Sequence, residues 1–288
     1  MSVTPDEFGT AARPFVKMHG LRNHFVIVDA RREPFTPAAE AIVRICDVQT
    51  GVGADQLVVI EPGEAADVDA FMRLYNVDGR EVEACGNATR CVAWLLLEEL
   101  KQQSVSIETL AGVLHCRRSG RLRVSCDMGQ VRNGWRDIPM AAETETADLN
   151  FPALSVAGGI AANIGNPHVV FFVDDLQAVD IETLAPDIQR DPRFPEQVNV
   201  GFAQLTGRRS LALRVYERGV GLTMACGSGA CVAVWAARET GLIDRAADPG
   251  PVDVSLPGGI VSIDIDERDH LIMNGPVAYS FSGSLAFH

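Results

Sequence analysis

A short cysteine-containing motif occurs twice in this sequence, once in each half. Ala-Cys-Gly-Asn occupies positions 84–87 and Ala-Cys-Gly-Ser occupies positions 225–228, and each copy is followed by a further cysteine and a tryptophan. A tyrosine stands ten residues before the first cysteine of each copy (85 − 75 and 226 − 216), and those cysteines are 226 − 85 = 141 residues apart. This repetition predicts two related halves that face each other.

Each copy lies between an apolar β-type run and a helical pattern. We predict strands over residues 71–76 and 211–216, each followed by turn residues and then by a helix, over 85–100 in the first half and 226–240 in the second. Gly241 is expected to end the second helix. Both helices are apolar nearly all round, which is typical of buried helices.

The rest of the chain predicts short strands with turn residues between them. A further helix is expected from Pro37 to Cys46 with Thr36 as its N-cap, and residues 139–150 are interpreted as a linker. The predicted further strands cover residues 25–29, 56–60, 105–109, 122–126, 168–173, 252–256 and 260–265.

The predicted fold class is α/β (α+β), with two pseudo-symmetric β-rich lobes, each wrapped around a central buried helix. The first lobe is expected to cover residues 1–132, completed by a C-terminal strand at 277–288, and the second to cover 133–276. The active site is expected in the cleft between the lobes.

Charge and composition exclude several kinds of partner. The formal net charge is −13, which argues against nucleic acid and anionic membrane surfaces. The first twelve residues lack a signal-peptide pattern, and no segment reaches the roughly 18 apolar residues that span a bilayer. Seven cysteines without CxxC pairs suit a reducing compartment. We therefore expect a cytoplasmic protein, for which a homodimer is one candidate assembly.

The position of Cys85 and Cys226 predicts acid/base chemistry. A helix N-terminus offers unpaired N–H groups and a positive dipole end, which favour a thiolate. Once one of two converging thiols is ionised, its charge opposes ionisation of the other, so the pair is expected to share one proton. One thiolate and one thiol on opposite sides of a carbon are what stereoinversion requires.

The residues after each cysteine suit a carboxylate. The glycines at 86 and 227 let a ligand approach the N–H groups at both helix starts, and those donors would also stabilise charge as an α-proton leaves. Racemases of another type use a pyridoxal Schiff base on lysine. Only Lys17 and Lys101 are present, and neither lies in a motif for one. A pyridoxal cofactor is therefore not expected. No other cofactor and no metal site are predicted either.

A lone cysteine at a helix start is more often a packing residue than a catalytic one. Duplication of Cys-Gly before two matched helices favours chemistry for Cys85 and Cys226. The remaining thiols carry no such pattern, and we assign them to the core: Cys46, Cys91, Cys116, Cys126 and Cys231.

Taken together, the motifs resemble the diaminopimelate epimerase family over nearly the whole chain. That family is pyridoxal-independent and interconverts LL- and meso-diaminopimelate, on a fold of two pseudo-symmetric α/β lobes with the active site in their cleft. The matching segments are, in order, MHGL (18–21), Asn23 with Phe25, GADQ (53–56), YN (75–76) with DG (78–79), CGN (85–87), GNPH (165–168), NV (199–200), VYERG (215–219) and ACGSG (225–229).

The resemblance implies Cys85 and Cys226 as the two bases, and lysine and peptidoglycan precursor biosynthesis as the pathway. It implies that the reacting carboxylate is held by Gly86, Asn87, Gly227 and Ser228. It further implies a set of residues that line the substrate site, several of them at its distal end: Asn23, Gln56, Asn76, Asn166, Asn199, Glu217 and Arg218.

Chemistry agrees with the distal assignment, because Glu217 could accept the ammonium of a second amino-acid head and Arg218 could bind its carboxylate. Outside this context, such a pair would be read as a surface salt bridge. We also hypothesise that His168 tunes one thiol and Glu217 the other, a structural histidine being the alternative. Two departures from the family pattern, Arg22 for glycine and His24 for aspartate, predict altered geometry or charge in the loop that holds Asn23.

Two other functions compete with this interpretation. A proline racemase or hydroxyproline epimerase of the same fold typically has Cys-Gly-His at the first thiol, where this chain has Cys-Gly-Asn. A non-catalytic amino-acid-binding protein could instead use Cys85 and Cys226 as a redox sensor, closing a disulfide on oxidation.

Overall fold

A computed structural model describes residues 12–285 of the chain. The chain divides into two compact units, one formed by Met1–Val124 with Pro276–His288 and the other by Ser125–Gly275. Residues 1–11, which belong to the segment predicted to lack a signal peptide, and the last three residues of the expected C-terminal strand lie outside the described residues.

The first unit combines antiparallel and parallel strand pairs with two helices. Its helices are α1 (Ala39–Cys46) and α2 (Gly86–Leu100). Its strands are β1 (Arg13–Gly20), β2 (Asn23–Asp29), β3 (Gln56–Glu61), β4 (Ala70–Asn76), β5 (Glu81–Val82), β6 (Ser104–Thr109), β7 (Gly112–Gly120) and the last strand of the chain, β18 (Ala278–Leu285).

The second unit is built in the same way. Its helices are α3 (Ile181–Gln189) and α4 (Gly227–Glu239). Its strands are β8 (Arg123–Gln130), β9 (Leu149–Phe151), β10 (Val156–Asn163), β11 (Pro167–Phe172), β12 (Asn199–Gly207), β13 (Ser210–Glu217), β14 (Gly221–Leu222), β15 (Val252–Leu256), β16 (Gly259–Ile265) and β17 (His270–Pro276).

Strand pairing repeats between the two units. In the first, β2 runs parallel to β3, β4 pairs antiparallel with β3 and β5 and parallel with β6, and β6 pairs antiparallel with β7. In the second, β11 runs parallel to β12, β13 pairs antiparallel with β12 and β14 and parallel with β15, and β15 pairs antiparallel with β16. The helices α1 and α3 connect the first parallel pair, and α2 and α4 connect the second. The predicted fold class and internal repeat are confirmed.

The long helix of each unit is buried, as its composition predicted. α2 packs against β1, β6 and β7, and α4 packs against β11, β12, β13 and β16. Residues in the middle of both helices are fully inaccessible. A separate apolar core forms under α1, with Val26, Ile42 and Leu57, and another under α3, with Phe171, Ile188 and Phe202.

The expected N-cap of α1 is wrong. The helix begins at Ala39, two residues later than predicted, and its N-cap is Ala38, which makes no side-chain capping bond. The amides of Ala41 and Ile42 donate to the Ala38 carbonyl, so the first helical turn closes there. Residues 36–38 therefore lie before the first helical residue, and the Thr36 hydroxyl is two residues too far from the helix start to act as its N-cap.

The predicted linker over residues 139–150 is also wrong, because this segment belongs to the second unit. Met140 and Leu149 are buried in the core that contains Phe171, and the Thr146 carbonyl accepts a hydrogen bond from Ala161 at 2.7 Å. Irregular backbone places its apolar side chains inward at irregular intervals. Such a segment has no sequence periodicity, and for that reason it looks like a linker.

The predicted strands are confirmed, with ends that differ by a few residues, and Gly241 follows the end of α4 with a φ of +72°. Among the helices of residues 12–285, none has both the length and the apolar composition needed to cross a membrane.

Candidate functional site

Cys85 is the N-cap residue of α2. The turn before it is set by Gly79, which has a φ of +83°, and by Asp78, which accepts a hydrogen bond from the Arg80 amide at 3.0 Å. The amide and hydroxyl of Thr89 both bond to the Cys85 carbonyl, at 2.9 and 3.0 Å. The strand–turn–helix sequence therefore places a half-buried thiol at a helix start, as predicted.

Two asparagines lie next to this thiol. The Cys85 sulfur is 3.6 Å from Asn23 Oδ1, and the same oxygen accepts from Asn87 Nδ2 at 3.2 Å. Asn87 is itself held by Arg90, whose Nη2 donates to Asn87 Oδ1 at 2.6 Å. Asn23 donates to Asp55 Oδ2 at 3.1 Å. The structure thus brings together Cys85, Asn23 and Asn87 of the predicted residues.

Gln56 and Asn76 form another polar pair in the first unit. They are directly opposite each other on β3 and β4, and Gln56 Nε2 donates to Asn76 Oδ1 at 2.9 Å. Both side chains are half-buried at strand ends. Their amides fix each other and leave further donors and acceptors for a ligand.

Cys226 is the N-cap residue of α4 and is only 4% exposed. Its sulfur accepts a hydrogen bond from the Gly229 amide at 3.4 Å and lies 3.5 Å from Ser228 Oγ. A Cβ at position 229 would lie 3.2 Å from this sulfur and 3.0 Å from a Val215 methyl. The glycine therefore allows the helix start to close tightly around the thiol.

His168 lies beside Ser228 at the same helix start. Its Nε2 is 2.9 Å from Ser228 Oγ and 3.0 Å from Asn166 Oδ1, and its side chain is buried. Burial, and secondarily the positive charge of Arg218, lower the pKa of His168 to about 3. The imidazole is therefore neutral at physiological pH, and Ser228 connects it to Cys226.

Glu217 contacts the second thiol directly. Its carboxyl group is hydrogen-bonded to the side chains of Thr223 and Cys226. Burial raises the pKa of Glu217, and these two hydrogen bonds offset part of that rise. A carboxyl group with a raised pKa in contact with a thiol can exchange a proton with it.

Asn199 and Arg218 complete the second unit's polar cluster. The Asn199 side chain donates to the Pro167 carbonyl at 3.0 Å and accepts from the Arg218 amide at 2.8 Å. The Arg218 guanidinium donates to the Glu196 carbonyl at 3.0 Å. Glu217 thus lies at the thiol, while the Arg218 guanidinium contacts the Glu196 carbonyl. The binding of a distal amino-acid head by this pair of residues stays a prediction.

Strand register shows that the two polar clusters occupy equivalent positions. Phe25 is paired with Gln56 at the start of the first parallel pair, as His168 is paired with Asn199, and an asparagine stands two residues before each, at 23 and 166. In the antiparallel pair that follows in each unit, Gln56 lies opposite Asn76. Asn199 is the equivalent of Gln56, and the register of its strand places it opposite Glu217. Glu217 is therefore the equivalent of Asn76. The second unit therefore carries an imidazole and a carboxyl group where the first carries a phenyl ring and an amide.

The loop before Asn23 departs from ordinary backbone geometry. Leu21 and Arg22 form a two-residue hairpin turn in which both have positive φ, 55° and 64°. His24 packs edge-on against His19 with ring centroids 5.6 Å apart, and its Nδ1 is 3.9 Å from Asp55. Burial, followed by the charges of His24 and Arg22, lowers the pKa of His19.

Sequence reasoning missed three residues of these clusters: Arg90, Asp55 and Thr223. Arg90 could have been noticed as a charged residue inside an otherwise apolar helix, and it is completely buried. Asp55 lies in the matched GADQ segment but was given no role. Thr223 carries no sequence signal, because its contact with Glu217 depends on how β14 turns back onto β13.

Sequence comparisons with known proteins agree on one family. The sequence model described as diaminopimelate epimerase matches residues 15–133 and 160–280. A diaminopimelate epimerase from Acidiphilium cryptum is 45% identical over 275 residues, covering 96% of this chain and 97% of that protein. Another, from Erythrobacter litoralis, is 47% identical over 272 residues, covering 94% of this chain and 96% of that protein.

Solved structures with the same fold are more distant in sequence. A hydroxyproline epimerase from Agrobacterium vitis has a TM-score of 0.69 at 14% identity, covering 96% of this chain and 91% of that one. A probable proline racemase from Agrobacterium radiobacter has a TM-score of 0.68 at 14% identity, covering 96% and 93%. At this identity the likeness shows the fold alone.

Proposed function

This chain belongs to the diaminopimelate epimerase family, and on that premise we propose that it interconverts LL- and meso-diaminopimelate with Cys85 and Cys226 as the two bases. Such an enzyme is an isomerase that inverts one stereocentre. Its product serves lysine and peptidoglycan precursor biosynthesis.

One observation carries the assignment of the bases. Two thiols occupy the N-cap positions of α2 and α4, the equivalent helices of two units with the same strand pairing. Stereoinversion requires a thiolate that removes the α-proton and a thiol that returns a proton to the opposite face of the carbon. A repeated unit supplies the same group twice in the same local setting.

The helix starts also support a role in holding the reacting carboxylate. Gly86 and Gly227 are the first residues of α2 and α4, where backbone N–H groups lack intrahelical partners. Asn87 and Ser228 follow them and add side-chain donors. We assign the carboxylate to these four residues, because hydrogen bonds to it strengthen as the α-proton leaves and charge spreads into it.

Proton exchange at Cys226 is supported by its neighbours. Glu217 shares a hydrogen bond with this thiol, and neutral His168 reaches it through Ser228. We propose that both residues tune the Cys226 thiol, rather than one thiol each. Five side-chain amides and one guanidinium are proposed to line the substrate site: those of Asn23, Gln56, Asn76, Asn166, Asn199 and Arg218.

The contacts of the two lysines support a reaction without pyridoxal. Lys17 Nζ donates to the Val52 carbonyl at 3.1 Å and also bonds to the Gly53 carbonyl. Lys101 is 80% exposed at the end of α2. All seven cysteines carry thiols rather than disulfides, which suits the cytoplasmic location that we propose.

The test is to incubate the purified protein with LL-diaminopimelate in deuterated water without added cofactor and to follow the meso product by NMR. We expect meso-diaminopimelate carrying deuterium at the inverted carbon, with turnover unaffected by hydroxylamine, which traps pyridoxal. Proline and hydroxyproline serve as comparison substrates. Inertness towards diaminopimelate with turnover of hydroxyproline would overturn the substrate assignment and keep the two-thiol chemistry, whereas inertness towards all of them would overturn both.

A further inference from the structure

The side chain of Asn23 is held at both of its ends. Its Nδ2 donates to Asp55 Oδ2 at 3.1 Å. Its Oδ1 lies 3.2 Å from Asn87 Nδ2 and 3.6 Å from the Cys85 sulfur. The amide therefore bridges a carboxylate on one side and the thiol's helix start on the other.

The charged residues at the two ends of this chain fix the direction of every hydrogen bond in it. A carboxylate can only accept, so Asp55 requires an N–H from Asn23, and it receives another from the His24 amide at 2.6 Å. A guanidinium can only donate, so buried Arg90 requires Asn87 to present its oxygen, which turns Asn87 Nδ2 towards Asn23. Both constraints turn Asn23 Oδ1 towards the sulfur.

An oxygen acceptor at this position favours one protonation state of Cys85. Asn23 Oδ1 accepts a hydrogen bond from the Cys85 thiol, whereas its lone pair repels a thiolate. Because the hydrogen bond stabilises the neutral thiol, it disfavours ionisation of Cys85. Resting on the function proposed above, we propose that Asn23 is a positioning residue that holds the proton on Cys85, so that Cys85 enters the catalytic cycle as the acid. An amide oxygen can accept a hydrogen bond from the thiol but is too weakly basic to remove its proton.

The described partners of Cys226 are of a different kind. Its sulfur accepts an N–H from Gly229 at 3.4 Å, which stabilises a thiolate. Its hydrogen-bonded neighbour Glu217 is a group that can take the proton. Register makes Asn23 equivalent to Asn166, and Asn166 contacts His168 rather than the sulfur in the described contacts. Asn23 and Glu217 stand at different positions of the repeat, so each thiol is prepared for its own role by a different part of the repeated unit.

Two substitutions of Asn23 test the proposal because they change Cys85 in opposite directions. Asn23→Ala removes the acceptor, and Asn23→Asp keeps an acceptor of the same shape and adds charge to it. The readout is the pH dependence of Cys85 alkylation by iodoacetamide, mapped by mass spectrometry on the whole protein without substrate. Gln102→Glu is the matched control, since it adds one negative charge at an exposed position of the same unit.

We expect Asn23→Ala to move the alkylation midpoint of Cys85 to lower pH and to raise its rate at pH 7 roughly two- to tenfold, the factor that one hydrogen bond contributes. Asn23→Asp is expected to move the midpoint to higher pH, and Gln102→Glu to leave it in place. An unchanged midpoint in Asn23→Ala would overturn the proposal, as would an equal shift in Asn23→Asp and Gln102→Glu. Since the readout needs no turnover, either result can be obtained whether or not the protein epimerises diaminopimelate.

Discussion

Arg22 holds a backbone conformation that ordinarily belongs to glycine. A two-residue hairpin turn with positive φ at both positions matches the twist of its strands, and the second position favours glycine. Here φ is +64° at an exposed arginine. The turn is formed because β1 and β2 pair on both sides of it, from Val16 opposite Ile27 to Gly20 opposite Asn23.

We expect Arg22→Gly to stabilise the protein. A left-handed residue other than glycine costs about 1–2 kcal/mol, and the added freedom of glycine in the unfolded chain returns about 0.4–1 kcal/mol of that. The net gain should be about 0.5–1 kcal/mol in the free energy of unfolding, measured by urea denaturation. Arg32→Gly, at an exposed loop arginine without positive φ, is the control and should not stabilise.

His168 makes folding sensitive to acid. Its pKa is lowered to about 3 by burial, from an ordinary value of 6.5. The unfolded chain therefore binds this proton first as pH falls, so the stability contributed by neutral His168 is present above 6.5 and is lost progressively towards 3. Within that window the loss reaches at most about 1.4 kcal/mol per pH unit.

The predicted loss of stability with falling pH can be tested with His168→Phe. This substitution places in β11 the residue type found at the equivalent position of β2, Phe25. The variant should lose less stability than the wild type between pH 6 and pH 4, even if its stability at pH 7 is lower. Urea unfolding at a series of pH values measures both slopes. The exposed histidine variant His115→Gln should keep the wild-type slope, and a parallel dependence for His168→Phe would contradict the assigned cause.

At the level of elements, the two long helices end differently. Lys101, with a φ of 55°, directly follows the last residue of α2, whereas after α4 the left-handed residue is Gly241, with a φ of 72°. A left-handed residue after a helix satisfies carbonyl groups of the last turn, and glycine adopts it without strain. Lys101 also lies 3.8 Å from Glu98, an exposed ion pair that contributes little.

Lys101→Gly should therefore stabilise the protein by about 0.5–1 kcal/mol, for the same balance of strain and chain entropy. Gly241→Ala should destabilise it by about 1 kcal/mol, because the strain of alanine at positive φ exceeds the entropy that alanine removes from the unfolded chain. Thermal or urea unfolding of the two variants gives the comparison. If both substitutions changed the free energy of unfolding in the same direction, backbone strain at these left-handed residues would not explain the stability changes.

The elements that could be predicted from sequence are those set by residues close together in the chain. α2, α4 and the strands before them were predictable, because apolar composition and turn residues act locally. Of the two asparagines around Cys85, Asn87 was indicated by its place after Cys-Gly, whereas Asn23 could be identified only through a family resemblance. The contact between Asn23 and Asp55 depends on the parallel register of β2 and β3, and the depth of Arg90 depends on strands that pack on α2 from distant parts of the chain.

Irregular segments were the least predictable. The stretch at 139–150 is packed through Met140 and Leu149, yet its composition is that of a linker. The start of α1 was predicted two residues too early. The residue before the helix, Ala38, has no capping side chain and closes the first turn with its carbonyl. In both cases the backbone conformation is set by packing and hydrogen bonds that leave no periodic pattern in the sequence.

At the level of the whole molecule, the chain repeats one topology and varies its polar residues. Each unit places a cysteine at the start of its buried helix and amides at matching strand ends. The second unit alone has His168 and Glu217 at positions where the first has Phe25 and Asn76. A repeated topology thus carries two thiols with different neighbours, and the reaction that we propose uses those thiols in opposite roles.

The most direct test of the two-thiol account is the epimerisation rate of Cys85→Ser and Cys226→Ser, compared with Cys91→Ala and Cys231→Ala in the interiors of the same helices. Removal of either acid/base thiol should lower conversion of LL- to meso-diaminopimelate by at least about 100-fold, the lower range of general acid–base catalysis, while both interior variants that fold keep turnover near the wild-type rate. Wild-type turnover in Cys85→Ser or in Cys226→Ser would contradict the account.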